Sequence, residues 1–314
     1  MAICALQELP DFGKGMVNNM KYGIYFAYWE QEWAADYKKY IERVKKLGFD
    51  ILEVSCAALV KMSRQELTDL REEASAQRVI LTAGYGPAAA ENLGSSYDEI
   101  QKNAIAFFTD LLKRLEYLNI HTIGGGIYSY WPVDYSKPID KQGDWERSVK
   151  NVRTVGKVAK ECGVDYCLEV LNRFEGYLLN TCAEAKEFVK QVDVPSVKIM
   201  LDTFHMNIEE DSITDAILLA GDQLGHFHVG ENNRRVPGKG SLPWYEIGSA
   251  LRRIHYDKNI VMEPFVRSGG TVGSDIKVWR DLSCGASDKQ LDEDAKGSVA
   301  YLRYVFSGPM HSSI

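Results

Sequence analysis

The chain has 314 residues, 45% hydrophobic and 26% charged, and its 37 basic and 44 acidic side chains leave a net charge of −7. That composition supplies a sizeable core and excludes nucleic acid and anionic membrane as partners, because the nearest thing to a basic arm, Asn232-Asn233-Arg234-Arg235, is too short. The six cysteines form no Cys-x-x-Cys pair, so reduced, buried thiols in a cytoplasmic protein are expected rather than a disulfide framework.

Residues 1–19 read as a loose extension. Their apolar run, Ala2 to Leu6, lacks the basic flank and the length of a secretory leader, and Met20 is a second plausible start. From there short β-rich runs alternate with longer helical ones. The pattern predicts a strand over 22–27 and an amphipathic helix over 36–47, then a strand over 50–55 and a helix over 63–77. Ser63-Arg-Gln-Glu66 has the form of a capping box for that helix. Strands follow at 79–83, 121–124, 165–169, 197–202, 224–229 and 259–263. Helices follow them at 97–118, 145–162, 181–192, 213–220 and 244–254, with a closing helix inside 287–306. No apolar stretch has the roughly 20 residues a membrane span needs.

Eight βα units are the count of a closed parallel barrel, so the fold expected is α/β, a (β/α)8 TIM barrel forming one catalytic domain over 20–306, with a tail at 307–314. A doubly wound open sheet is the alternative. It would favour a glycine-rich turn after the first strand, where this chain has Tyr28-Trp29-Glu30-Gln31. The loops after strands four, five, seven and eight are long, which puts the chemistry on that face of the barrel.

Four consecutive strand ends carry potential metal ligands: Glu169, Asp202, His228 and Glu263, separated by 33, 26 and 35 residues. Each spacing is about one βα unit, so the four side chains converge on one side of the mouth. Singly, each would serve as a helix cap or an ion-pair partner. Together, three carboxylates at one rim repel unless a cation lies between them, and three carboxylates with one imidazole suit Mn²⁺, Co²⁺ or Mg²⁺. The site would carry one net negative charge before substrate binds. His226 is expected to face away from His228 as a structural histidine. Gly238-Lys239-Gly240-Ser241 lacks the leading glycine of a phosphate loop, and Gly124 to Gly126 lacks dinucleotide spacing. No nucleotide or organic cofactor is expected; close backbone approach explains the glycines better.

Gly23-Ile-Tyr-Phe-Ala-Tyr-Trp29, Tyr128-Ser-Tyr-Trp-Pro132 after Gly124-Gly-Gly126, Leu168-Glu-Val-Leu-Asn-Arg-Phe-Glu175, Met200-Leu-Asp-Thr-Phe-His-Met-Asn207, Gly230-Glu-Asn-Asn-Arg234 and Met262-Glu-Pro-Phe265 resemble the ketose 3-epimerase family, the D-tagatose and D-psicose (allulose) 3-epimerases. The resemblance runs from about Lys21 to Phe306. It implies a metal-dependent isomerase of free ketohexoses that interconverts D-fructose and D-psicose and also accepts D-tagatose and D-sorbose. It places the metal ligands on the same four residues and substrate-oxygen ligands on Glu175, His205 and Arg234. It places an apolar wall on Tyr25, Trp33, Trp131 and Phe265, and it implies a homodimer or homotetramer. Epimerisation at C3 removes a proton from one face and returns one to the other through a cis-enediolate, so a base is needed on each face. Glu169 and Glu263 flank the ion and fill both places. Arg234 offsets the developing charge, His205 donates to a substrate oxygen and Glu175 accepts from a hydroxyl. A related barrel isomerase that moves the proton between C1 and C2 is the alternative.

Overall fold

The computed structural model describes residues 19–307. The expected extension and tail lie, but for their innermost residues, outside the described residues, as does Cys4. Among the described residues eight parallel strands close into one barrel in sequence order. In chain order the elements are β1 (Lys21–Tyr25), α1 (Tyr37–Leu47), β2 (Ile51–Ser55), α2 (Cys56–Leu59), α3 (Arg64–Gln77), β3 (Ile80–Gly84), α4 (Asp98–Tyr117), β4 (Thr122–Gly125), α5 (Lys141–Glu161), β5 (Asp165–Glu169), α6 (Cys182–Val192), β6 (Val197–Asp202), α7 (Thr203–Glu209), α8 (Ile213–Ala220), β7 (Leu224–Val229), α9 (Trp244–Arg253), β8 (Asn259–Met262), α10 (Gly270–Asp275) and α11 (Asp288–Ser307). Closure is made by β1 against β8, with Lys21 opposite Asn259 and Ile24 opposite Met262. The open-sheet alternative is thereby excluded.

Local chemistry sets most element ends. α1 buries Tyr37, Tyr40, Ile41 and Val44, the i, i+3, i+4, i+7 stripe of a helix lying on a sheet. It stops at Gly48, whose φ of 89° is the left-handed cap glycine adopts most readily. Ser63 caps α3 as expected: its hydroxyl accepts from Glu66 N at 3.3 Å and Glu66 answers on Ser63 N at 2.7 Å. Thr181 and Glu184 build a second capping box for α6, each cap worth about 1 kcal/mol. α5 begins four residues before its expected start because the Asp140 side chain caps it through Gly143 N at 3.0 Å. The short helices α2, α7 and α10 escaped the sequence reading, since fewer than eight residues carry too little periodicity to register.

Inside the barrel, the packing depends on residues too small or too polar for an ordinary core. A Cβ on Gly124 would collide with Met200 Sδ and press on His226, so the bare backbone of β4 makes room for side chains crossing from β6 and β7. Gly125 has φ 127°, and a side chain there would overlap the Tyr85 carbonyl. Close backbone approach is thus the role of this glycine run. The cysteines at 56, 162, 167 and 182 are buried free thiols and Cys284 is exposed. No helix among the described residues is long and apolar enough to cross a membrane.

Candidate metal centre and active site

The C-terminal ends of the strands open into a cavity of about 370 Å³, within the range of small-molecule sites. Glu169 ends β5, Asp202 ends β6, His228 lies one residue from the end of β7, and Glu263 is the first residue beyond β8. One ligand atom from each lies within 4.8 Å of the others.

Two buried atoms of this set, Asp202 Oδ2 and His228 Nδ1, make no hydrogen bond. The second atom of each side chain is committed elsewhere. Asp202 Oδ1 accepts from Phe204 N at 2.7 Å and caps α7, while His228 Nε2 bonds Glu53 Oε1 at 2.6 Å. Leaving buried polar atoms unsatisfied costs about 1–3 kcal/mol each. A divalent cation would satisfy both and offset the repulsion among three carboxylates, so these residues fit such an ion. Burial and the Glu263 charge push the Glu169 carboxyl well above its ordinary range. Burial pulls His228 down, but the Glu53 and Glu263 carboxylates outweigh it and hold the imidazole well above its usual value. Both groups must release protons before a cation binds.

Beside this set the polar side chains interlock. Arg234 is buried, with a left-handed φ of 63°. Its guanidinium lies 3.3 Å from Glu175, 3.4 Å from Glu263 and 3.7 Å from Asp202, over the Phe204 ring at 3.7 Å. Those carboxylates outweigh burial and keep its pKa raised. Glu175 does not pair with neighbouring Arg173, which is bonded to Glu209 at 2.9 Å. Burial would raise the Glu175 carboxyl, but the Arg234 guanidinium and the Asn172 amide prevail and hold it below its ordinary value. His205 sits buried in the first turn of α7. Its Nδ1 receives Asn172 Nδ2 at 2.8 Å and Asn172 N at 3.3 Å. The ring proton is therefore on Nε2, 3.7 Å from Glu169.

Tyr25, Trp33, Trp131 and Phe265 line the same cavity. Trp33 packs edge-on to Trp131 and Phe265 at 6.1 and 6.2 Å, and Phe265 meets Tyr25 at 6.2 Å. Trp131 lies against Gly86, where a Cβ would come within 2.9 Å of the indole. Trp33 is held by its Nε1 donating to Asp275 Oδ2 at 2.7 Å.

One expectation is overturned. His226 does not face away from His228. Side chains two residues apart share a face of a strand, so both imidazoles point into the barrel and Phe227 points out. The rings lie 5.0 Å apart, and both contact Glu53. Other residues near the site went unread in the sequence. Glu53 carried a signal: an acidic residue inside the wholly buried strand Ile-Leu-Glu-Val-Ser. Asn172 and Asp275 carried none. Glu231, fully buried, accepts from Gly238 N, Leu242 N and Trp244 Nε1 at 2.6, 3.2 and 2.7 Å. The loop with a superficial likeness to a phosphate loop is thus wrapped around an internal carboxylate.

A closed βα barrel with carboxylates and a histidine gathered at its mouth defines a class, and the sequence matches the model of the xylose isomerase-like TIM barrel family over residues 41–295. Three curated relatives are named D-psicose 3-epimerase. That of Ruminiclostridium cellulolyticum is 61% identical over 93% of this chain and 100% of its own length. That of Agrobacterium fabrum is 54% identical over 92% and 100%. A crystal structure of D-psicose 3-epimerase with D-tagatose from Clostridium cellulolyticum has a TM-score of 0.91 to this fold at 62% identity, covering 91% of this chain and 99% of that one. The chain belongs to the ketose 3-epimerase family and is an isomerase.

Proposed function

We propose that this protein is a metal-dependent 3-epimerase of free ketohexoses, interconverting D-fructose and D-psicose and acting also on D-tagatose and D-sorbose. The observation that carries the reading is the pair Glu169 and Glu263, set on β5 and just after β8 with two unsatisfied ligand atoms of Asp202 and His228 beside them. The names of the relatives support it.

A divalent cation, Mn²⁺ in this reading with Co²⁺ or Mg²⁺ able to replace it, would be held by Glu169, Asp202, His228 and Glu263 and would supply Lewis-acid stabilisation of negative charge on substrate oxygens. The chain's own residues do the rest. One of Glu169 and Glu263 removes the C3 proton as a carboxylate, and the other, protonated, returns a proton to the opposite face; the two exchange roles with the direction of reaction. Loss of the proton leaves a cis-enediolate over C2 and C3. Arg234 faces that charge with fixed N–H donors. His205 donates Nε2–H to a substrate oxygen, and Glu175 accepts from a hydroxyl. Because Arg234 is already engaged by carboxylates, it is poorly suited to a phosphate, in keeping with a free sugar. The four aromatic rings pack on the C4–C6 end and offer it few hydrogen bonds, so discrimination there is loose.

Incubating D-fructose with the enzyme and Mn²⁺ tests the reading. D-psicose is the expected product; D-glucose or D-mannose would instead mean proton transfer between C1 and C2. EDTA should abolish activity and Mn²⁺ or Co²⁺ restore it, and full activity in metal-free enzyme would falsify the metal's part.

A further inference from the structure

We infer that Glu53, on the far side of the barrel from the ligand set, is the positioning residue of the metal centre: it holds His228 in the one tautomer and ring orientation that can bind a divalent cation. This rests on the metal reading of the four-residue site above.

A neutral histidine carries one N–H, and the other nitrogen offers a lone pair. His228 Nε2 lies 2.6 Å from Glu53 Oε1. An ionised carboxylate only accepts, so the proton belongs on Nε2. The lone pair is then on Nδ1, the buried nitrogen that makes no hydrogen bond and lies 3.5 Å from Glu263, another member of the ligand set. Without Glu53 the ring has another choice. Glu263 Oε1 is 3.5 Å from Nδ1 and would attract a proton there, occupying the position the cation needs.

Glu53 is itself held. Its Oε2 accepts from Thr82 Oγ1 at 2.7 Å and meets His226 Nε2 at 2.8 Å, and the carboxylate is 1% exposed. Every close partner is thus a donor, from β3 on one side and β7 on the other. These distances are those of hydrogen bonds to separate oxygens, so Glu53, His226 and His228 are a hydrogen-bonded brace and not a second metal site. Carboxylates that orient ligating histidines typically change metal affinity by 10–100-fold when removed.

Mn²⁺ titrations of wild type, Glu53→Gln and Glu53→Asp by calorimetry, with thermal melts of each protein in EDTA, test the inference. In Glu53→Gln one oxygen becomes an NH₂, which cannot accept from both His228 and the Thr82–His226 pair. The dissociation constant for Mn²⁺ should rise roughly 10–100-fold, with kcat largely recovered at saturating Mn²⁺ and the melting temperature in EDTA changing far less. Glu53→Asp should recover part of the affinity. Unchanged affinity with a lowered melting temperature would make Glu53 merely structural and overturn the inference, as would two Mn²⁺ per wild-type chain with the second lost in Glu53→Gln. If wild type binds no Mn²⁺, the metal reading itself fails; equal binding by wild type and variant fails this inference alone. Should Glu53→Gln not fold, ¹⁵N-histidine spectra of Zn²⁺-loaded wild type decide it. A His228 Nε2–H resonance is expected, and an Nδ1–H resonance would reject the brace.

Discussion

The two halves of the cavity are built on opposite principles. On the β5–β8 side the polar side chains are tied to one another, with Asp202 Oδ2 and His228 Nδ1 left without a hydrogen bond: Arg234 faces three carboxylates, Asn172 bonds both His205 and Glu175, and Glu53 braces His228 from behind. On the facing wall Tyr25, Trp33, Trp131 and Phe265 pack against one another in edge-on and tilted pairs with ring centroids 6.1–6.4 Å apart, with the Trp33–Asp275 hydrogen bond as a polar anchor. The difference separates two tasks. Directed hydrogen bonds and charges fix where a proton moves, because electrostatic energies in a dry site depend steeply on position. Packing against ring faces depends on area and shape, so it tolerates sugars that differ at a distant hydroxyl.

The sharpest way to break this contrast is at the carboxylate pair. Glu169→Gln or Glu263→Gln should lower kcat on D-fructose by on the order of 10⁴-fold at saturating Mn²⁺ while sugar binding persists. Retained binding without turnover also excludes a simple sugar-binding barrel, whereas a loss below tenfold would remove the residue from proton transfer. Next comes Arg234→Lys, which keeps the charge but loses the planar fork. Here kcat/KM should fall by roughly 100-fold, measured with the same substrate.

The effect of pH is intermediate and follows from the raised groups. In the folded, metal-free chain Glu169 keeps its proton above the ordinary value of 4.5. Its contribution to stability is therefore complete below that pH and is lost as pH rises through the folded value. His228 behaves alike around its ordinary 6.5. Because both protons must leave before a cation binds, Mn²⁺ affinity should strengthen from about pH 5 to about pH 8. At about 100 times Kd, Mn²⁺ should stabilise by about 2.7 kcal/mol, or roughly 5 °C in Tm. A Tm gain that is larger at the acid end would contradict the assignment. The smallest effect belongs to the wall. Trp131→Phe should raise KM a few-fold, leave kcat nearly unchanged, and shift relative kcat/KM across D-psicose, D-fructose, D-tagatose and D-sorbose by less than about tenfold.

Much of this arrangement was legible along the chain. The alternation of short apolar runs with amphipathic ones marked eight βα units, because buried parallel strands and sheet-covering helices impose different spacings. The 33-, 26- and 35-residue intervals brought Glu169, Asp202, His228 and Glu263 to successive strand ends. Resemblance added Glu175, His205, Arg234 and the four aromatics, all of which the fold brings to the one cavity. What local pattern determines, then, is which residues reach the mouth of the barrel. Which atoms meet there is decided across the barrel. The partnership of Glu53 with His226 and His228 joins residues 173 and 175 positions apart, the hold of Asp275 on Trp33 spans 242, and the choice of Glu209 rather than Glu175 by Arg173 depends on where α7 lies. Such contacts leave no period in the sequence, because they depend on barrel closure and on the desolvation that makes each buried polar atom require a partner.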